Sequence, residues 1–256
     1  MRSLSLVALF SLVGCANAYS AAQLGALTVH TFRREYTNAH VVVGPRGSFM
    51  VDSGFERHAA ELDADLRARG VDPSRLRAII VTHGHADHAG GAAWFHRRYA
   101  TPVIAGAGDD ALLASGRNDR LCPTDGEARS RLAEAQRERF SSYRADRSVS
   151  APIDLAAVTG VEGTIVPLPG HTEGSLVVVT AAGAFVGDLL RGGVFSNSAE
   201  RHFFMCDLED NNADVRTLLE RIAPDAQTFY VGHFGSLSRT AVEARWPAAR
   251  TATATP

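Results

Sequence analysis

The sequence contains no lysine, and all 26 of its basic residues are arginine. This absence excludes Schiff-base chemistry, a lysine nucleophile and the lysine-bearing phosphate loop of nucleotide-binding proteins. The chain also lacks the motif G-x-S-x-G, so it offers no serine nucleophile at a strand-to-helix elbow. The formal net charge is only −2, with arginines dispersed among acidic residues, and we therefore expect no nucleic-acid partner.

Apolar runs long enough to cross a bilayer as a helix are also missing from the sequence. The short run at residues 4–13 follows Arg2 and precedes small residues, which predicts a signal peptide over residues 1–20 and export to the bacterial periplasm. Two processing sites overlap there. LVGC resembles a bacterial lipobox, which would leave a lipid-modified, membrane-anchored Cys15, and ANA resembles an ordinary cleavage site after Ala18. We expect the lipobox to be used, because it accounts for the cysteine, and keep the second site as the alternative.

Cysteine is scarce, with three residues in the chain. Cys122 and Cys206, the two that follow the N-terminal segment, are far apart in the sequence. Export would permit a disulfide between them, but two cysteines alone do not establish one.

The remaining composition, 45 % hydrophobic and 21 % charged, is that of a globular protein, and we expect one α/β domain over residues 21–250. Apolar runs predict strands at residues 27–32, 41–43, 48–51, 77–82, 102–104, 164–166, 176–180, 184–186 and 228–231. Helical spacing predicts helices at residues 55–66, 89–99, 126–140 and 215–222. The polar, arginine-rich stretch at about 107–150 indicates an inserted helical lid, or alternatively a solvated surface helix. We expect the tail at residues 251–256 to be disordered.

Histidine and aspartate are concentrated directly after the predicted strand at residues 77–82, where the sequence reads HGHADHAGG. His83, His85, Asp87 and His88 fall within six residues of one another on this turn. Imidazole and carboxylate groups are ligands for zinc, iron and manganese, and alternating residues of an extended turn can face two neighbouring ions. The cluster therefore predicts a metal site.

Three further candidate ligands each follow an apolar strand. They are His171 in PGHT, Asp188 in FVGD and His233 in YVGHFG. A single histidine beside glycine is usually a hydrogen-bonded turn residue, but side chains at the ends of several strands can meet at one edge of a sheet. We therefore interpret all three as ligands of the same centre.

These motifs, in this order, resemble those of metallo-β-lactamase-fold hydrolases, over about residues 27–235. The resemblance implies a four-layer αβ/βα sandwich with two divalent metal ions at one edge of the sheets, zinc being expected and iron or manganese the alternatives. It also implies seven ligands: His83, His85 and His171 for one ion, Asp87, His88 and His233 for the other, and Asp188 as the bridge.

The implied chemistry is hydrolysis by direct attack of water, without a covalent enzyme intermediate. Two ions sharing one hydroxide lower the pKa of the parent water toward 7, and we expect Asp87 to orient the hydroxide. Asp188 resembles the bridging aspartate of thioesterases, lactonases and phosphodiesterases of this fold, where β-lactamases carry Cys or Ser. We therefore expect a small ester, lactone or thioester substrate. The alternatives are a β-lactam, persulfide oxidation at one iron, and metal binding without catalysis.

Three other polar residues lie near these motifs in the sequence. Arg191 would bind a substrate carboxylate, or alternatively form a surface ion pair. His202 is a candidate general acid for the leaving group. For Asp52, in VDSG, we expect a structural carboxylate in a turn, the alternative being a hydrogen bond to a metal ligand.

Overall fold

Two β-sheets pack face to face at the centre of the fold, with helices on both outer faces. The structure is a computed structural model, and it describes residues 17–247. This architecture confirms the predicted four-layer αβ/βα sandwich. Cys15 and the predicted tail at residues 251–256 lie outside the described residues, as does all but the last part of the predicted signal peptide.

The first sheet has seven strands arranged in chain order. They are β1 (Ala18–Leu24), β2 (Leu27–Arg34), β3 (Thr37–Gly44), β4 (Gly47–Val51), β5 (Ile79–Ile80), β6 (Val103–Gly106) and β7 (Arg147–Val149). Strands β1 to β4 form an antiparallel meander, and β4 to β7 run parallel to one another. Strand β1 was not predicted, because its sequence AYSAAQL has no apolar face and its first residues were assigned to the signal peptide.

The second half of the chain supplies the other sheet and a small hairpin. Its strands are β8 (Ile153–Asp154), β9 (Gly163–Pro167), β10 (Leu176–Thr180), β11 (Gly183–Gly187), β12 (Arg191–Gly192), β13 (Ala199–Glu200), β14 (Thr228–Val231) and β15 (Leu237–Ser238). Strands β12 and β13 pair with each other, and the remaining six form the second sheet in the order β15-β14-β11-β10-β9-β8. Strands β11 and β14 are parallel, so the loops that follow them emerge at the same edge.

The helices are short and lie mostly on the outer faces of the sheets. They are α1 (Ala59–Ala68), α2 (Ala86–Ala89), α3 (Ala92–Tyr99), α4 (Asp110–Ser115), α5 (Gly126–Ala135), α6 (Ala156–Thr159), α7 (Leu208–Thr217) and α8 (Arg239–Arg245). A π-helical turn, Leu218–Ile222, continues α7. Within residues 17–247, no helix combines the length and the apolar character needed to cross a bilayer.

Alternating side chains of the strands build separate cores on the two sides of each sheet. In β3, Val42 faces the second sheet and packs with Phe49 and Phe185, whereas Val41 packs with the helices outside. This alternation follows from the two-residue period of a strand. Fully burying a side chain such as Phe49 contributes roughly 1.5–3 kcal/mol, so the layer between the sheets fixes their relative position.

The stretch predicted as a helical insertion leaves the first sheet after β6 and returns to it as the edge strand β7. It contains α4 and α5, and the helix predicted for residues 126–140 ends at Ala135. The loop at residues 116–125, between these two helices, lies against the turn at residues 83–88 and against residues 202–206. This loop therefore borders the edge where the candidate ligands converge.

Candidate metal centre

The predicted ligands come together at one edge of the sandwich, on the loops that follow β5, β9, β11 and β14. The first group consists of His83, His85 and His171, whose ligand atoms all lie within 4.8 Å of one another. His171 Nε2 and His85 Nδ1 are only 3.1 Å apart, and the buried His83 Nε2 has no hydrogen-bond partner among the described residues. Three ring nitrogens thus face one small volume.

The second group consists of Asp87, His88 and His233, again within 4.8 Å of one another. The Nε2 atoms of His88 and His233 are 3.4 Å apart. Asp87 Oδ2 lies 3.6 Å from the first of these nitrogens and 3.5 Å from the second. This group has the composition predicted for the second ion.

Asp188 lies between the two groups, with a carboxylate that is 1 % exposed. Its Oδ2 atom is close to the Nε2 atoms of five histidines, His202 (3.0 Å), His233 (3.0 Å), His88 (3.3 Å), His83 (3.6 Å) and His171 (3.8 Å). Its Oδ1 atom is buried and has no hydrogen-bond partner among residues 17–247. Asp188 Oδ2 therefore lies close to side chains of both groups.

The charges in this cluster suit a cation. Burial alone would raise the pKa of Asp188, but the surrounding imidazoles, His202 and His233 foremost, hold it well below its ordinary value. Burial lowers the pKa of His83 and of His171 well below the usual value for histidine, which leaves both rings neutral with a lone pair available. A buried carboxylate and neutral imidazoles are the protonation states that metal ligation requires.

His88 and His233 are different, because burial disfavours the charge of both rings but nearby carboxylates, Asp188 foremost, raise the pKa of His233 and raise that of His88 well above the usual value. On these rings a proton and a metal ion would compete for the same lone pair. Buried polar atoms without partners are costly, and that of His83, Nε2, lies 3.6 Å from Asp188 Oδ2. The donor set of five imidazoles and two carboxylates therefore fits two divalent ions of the zinc, iron or manganese type.

Asp52 is 1 % exposed and lies next to the predicted ligand His88. Its Oδ1 accepts the backbone N–H of Thr82 at 2.7 Å, and its Oδ2 lies 2.9 Å from His88 Nδ1. The expectation of a purely structural carboxylate in a turn was therefore wrong: Asp52 does occupy a strained turn, with φ of 58°, but it also orients a predicted ligand.

Two further carboxylates of the site were missed from the sequence. The buried Asp109 accepts the backbone N–H of Gly84 at 2.7 Å and the hydroxyl of Thr172 at 2.7 Å, and so joins the loops that carry His83 and His171. Asp119 Oδ1 lies 2.8 Å from His85 Nε2. Both residues come from the arginine-rich stretch, where no motif marks them.

His202 and Arg191 lie beside the two groups. The buried His202 Nε2 lies 3.0 Å from Asp188 Oδ2, and burial lowers the pKa of His202 to about 4. The guanidinium of Arg191 stacks over the ring of Phe203 at 4.0 Å and donates to the carbonyl of Gly192 at 3.0 Å. Among residues 17–247, no carboxylate forms an ion pair with Arg191, so the alternative of a surface ion pair is not observed there.

Cys122 and Cys206 form a disulfide next to the candidate centre, a pairing that the sequence alone did not establish. It joins the loop that carries Asp119 to the loop that carries His202. Two segments separated by 84 residues are thereby linked next to the candidate centre.

Comparison with curated proteins yields short, partial matches. A probable metallo-hydrolase of Bacillus subtilis (strain 168), YybB, is 42 % identical over 57 residues, which is 22 % of this chain and 24 % of that protein. Hydroxyacylglutathione hydrolase of Dechloromonas aromatica (strain RCB) is 30 % identical over 145 residues, 57 % of this chain and 40 % of that enzyme. The matched part therefore spans less than half the length of either relative.

Solved structures and a family model agree on the fold. BJP-1, a subclass B3 metallo-β-lactamase of Bradyrhizobium japonicum, superposes with a TM-score of 0.58 at 16 % identity, covering 87 % of this chain and 80 % of that one. A metallo-β-lactamase of Cronobacter sakazakii gives 0.57 at 20 % identity, covering 80 % and 74 %. The family model described as the metallo-beta-lactamase superfamily matches residues 33–233. Because that match takes in most of the chain, including all seven predicted ligands, the chain belongs to the metallo-β-lactamase superfamily.

Proposed function

We propose that this protein is an exported two-metal hydrolase that cleaves a small ester, lactone or thioester by direct attack of water. The observation that carries the proposal is the position of the Asp188 carboxylate between two groups of ligands, each of which can hold one ion. The partial match to hydroxyacylglutathione hydrolases, which are thioesterases by name, supports the class of bond.

In this proposal, two bound ions, for which zinc is the expected identity, would lower the pKa of a water molecule and polarise the bond to be cleaved. Seven residues would hold them: His83, His85, His171, Asp87, His88, His233 and Asp188. Asp87 has a second role. Its side chain is 16 % exposed, whereas that of Asp188 is 1 % exposed, so Asp87 is the carboxylate that can accept a hydrogen bond from the attacking water.

His202 acts on the leaving group. Its Nε2 lies 3.0 Å from Asp188 Oδ2, and its Nδ1 lies 3.1 Å from the carbonyl oxygen and 3.2 Å from the backbone nitrogen of Phe204. The pKa of about 4 keeps the ring neutral near pH 7. In this proposal, the general-acid role predicted from the sequence is that of a neutral hydrogen-bond donor: an Nε2–H would turn from Asp188 to the leaving atom and stabilise the charge developing there.

Arg191 binds an anionic group of the substrate. Its guanidinium is half-buried and held flat against Phe203, the residue next to His202. Burial lowers the pKa of Arg191, because the charged guanidinium is partly removed from water. A nearby anion would stabilise that charge. A substrate carboxylate placed over this guanidinium would supply one through paired hydrogen bonds.

A second candidate function is hydrolysis of a β-lactam. It is the activity named for the two superposed metallo-β-lactamases, whose identities of 16 % and 20 % to this chain show a shared fold. The aspartate at position 188, where β-lactamases of this fold carry Cys or Ser, favours the ester class instead.

Export and lipid anchoring at Cys15 form part of the proposal. Strand β1 begins at Ala18 and pairs with β2 along its whole length. Cleavage before Cys15 would leave β1 intact, whereas cleavage after Ala18 would remove its first residue. Membrane fractionation of the wild type and Cys15→Ser tests this: only the wild type should sediment with membranes.

The substrate class is tested with a panel of an aryl ester, a lactone, a thioester, a phosphodiester and a cephalosporin. We expect turnover of an ester, lactone or thioester, and its loss in Asp188→Asn. Asp225→Asn, which changes an exposed aspartate on the loop before β14, is the matched control and should retain full activity. Turnover of the cephalosporin alone would select the second candidate. Full activity of Asp188→Asn would overturn the proposal.

A further inference from the structure

We propose that Asp119 is a positioning residue for the metal ligand His85, and that the Cys122–Cys206 disulfide holds it in place. This inference rests on the metal centre of the proposed function. It assigns a role in that centre to the loop between α4 and α5, which carries none of the predicted ligands.

The contact between Asp119 and His85 sets which ring nitrogen faces the ion. Asp119 Oδ1 lies 2.8 Å from His85 Nε2, while the other nitrogen, Nδ1, lies 3.1 Å from His171 Nε2 inside the first ligand group. With its hydrogen donated from Nε2 to the carboxylate, His85 presents the lone pair of Nδ1 to the ion. A carboxylate at the far nitrogen also makes an imidazole a stronger ligand.

Burial does not keep Asp119 there, because its side chain is 39 % exposed. The neighbouring Asn118 fixes the start of the loop: its Oδ1 accepts the N–H of Ala86 at 2.8 Å, and its Nδ2 donates to the carbonyl of Ala135 at 3.0 Å. Asn118 therefore ties the loop to both α2 and α5, one residue before Asp119.

The other end of the loop is tied to the segment that carries His202. Besides the disulfide itself, the N–H of Met205 donates to the carbonyl of Cys122 at 2.8 Å, and the N–H of Thr124 donates to the carbonyl of Phe203 at 2.9 Å. The disulfide and these two hydrogen bonds thus link two segments, one carrying Asp119 and the other carrying His202. Opening the disulfide would loosen the contact between Asp119 and His85.

The test measures zinc binding rather than turnover, by competition with a chromogenic chelator on the metal-free full chain. Asp119→Asn removes the charge and keeps the size of the side chain. Glu134→Gln, an exposed carboxylate on α5, is the matched control. We expect one of the two zinc sites to weaken by about 10–100-fold in Asp119→Asn and neither to change in the control. The thermal midpoint of the metal-free protein should stay the same.

The part played by the disulfide is tested by Cys122→Ser/Cys206→Ser, alone and combined with Asp119→Asn. If the disulfide acts through Asp119, both changes weaken the same site and the combination is less than additive. Asn118→Ala loosens the same loop without touching the cysteines. It should weaken that site too, which tests the role of the loop in holding Asp119 if the cysteine variant does not fold.

The outcomes separate the two proposals. A wild-type protein that binds no zinc overturns the proposed function. A wild type that binds two zinc ions, with unchanged affinities in Asp119→Asn, overturns the role of Asp119 alone. Additive effects of the cysteine and Asp119 changes overturn the role of the disulfide.

Discussion

Asp52 Oδ2 lies 2.9 Å from His88 Nδ1, although the two residues are 36 positions apart in the chain. The carboxylate orients the ring of His88 through Nδ1, so that Nε2 faces Asp188 Oδ2 at 3.3 Å. Because Asp52 has a φ of 58°, only a residue that tolerates the left-handed region can replace it without strain.

Asp52→Asn should therefore separate the electrostatic role of this residue from its role in the turn. Asparagine accepts the positive φ and retains an oxygen for the N–H of Thr82, but it lacks the charge that makes His88 a better ligand. We expect about a 10–100-fold loss in metal affinity with little change in the free energy of unfolding. Asp52→Ala should lower both. Equal metal affinity in Asp52→Asn and the wild type would show that His88 does not depend on this carboxylate.

Gly232→Ala should damage the centre by crowding. A Cβ at position 232 would lie 2.3 Å from Asp188 Oδ1 and 2.4 Å from His88 Cε1, so Asp188 would have to move out of its place between the two groups. We expect metal content and turnover to fall together. The control is Gly235→Ala, where a Cβ would meet nothing within 4 Å. Similar behaviour of the two variants would argue against the packing described for Asp188.

His202→Gln should lower turnover without removing metal, because His202 is proposed to act on the leaving group rather than as a ligand. The loss of its Nε2–H should reduce kcat by about 100-fold. The control is His96→Gln, which changes a histidine on α3 whose Nδ1 lies 3.0 Å from the carbonyl oxygen of Thr101, away from the site. Loss of one metal ion from His202→Gln would instead make His202 an additional ligand, as its 3.0 Å approach to Asp188 allows.

The stability of the metal-free protein should fall as the pH drops from 6.5 to 4, partly through His40. Burial lowers the pKa of His40 to about 4, while the unfolded chain takes up its proton near pH 6.5. The unfolded state therefore binds more protons across this window, and His40 costs about 3 kcal/mol of folding free energy by pH 4. Urea unfolding at several pH values should show a shallower pH dependence for His40→Gln than for the wild type. Parallel curves would contradict this.

The sequence predicted most strands and the seven candidate ligands because both are local signals, and the four-layer fold was implied by the resemblance of the ligand motifs to a known family. Each ligand stands directly after an apolar strand or within the HGHADH turn, and the strands themselves follow from short apolar runs. The supporting carboxylates could not be predicted in the same way. Asp109 and Asp119 reach the centre from a polar stretch whose path depends on tertiary packing. Strand β1 was not predicted because it is an edge strand with largely exposed side chains, and its sequence therefore has no apolar run.

The most direct test of the central claim is the metal content of the purified full chain, measured by mass spectrometry and by zinc titration of the metal-free protein. Two ligand groups sharing Asp188 predict close to two zinc ions per chain, with hydrolytic activity that is lost on chelation and regained on adding zinc. One iron ion per chain, with oxygen consumed on a persulfide, would contradict the two-metal hydrolase while leaving the fold unchanged.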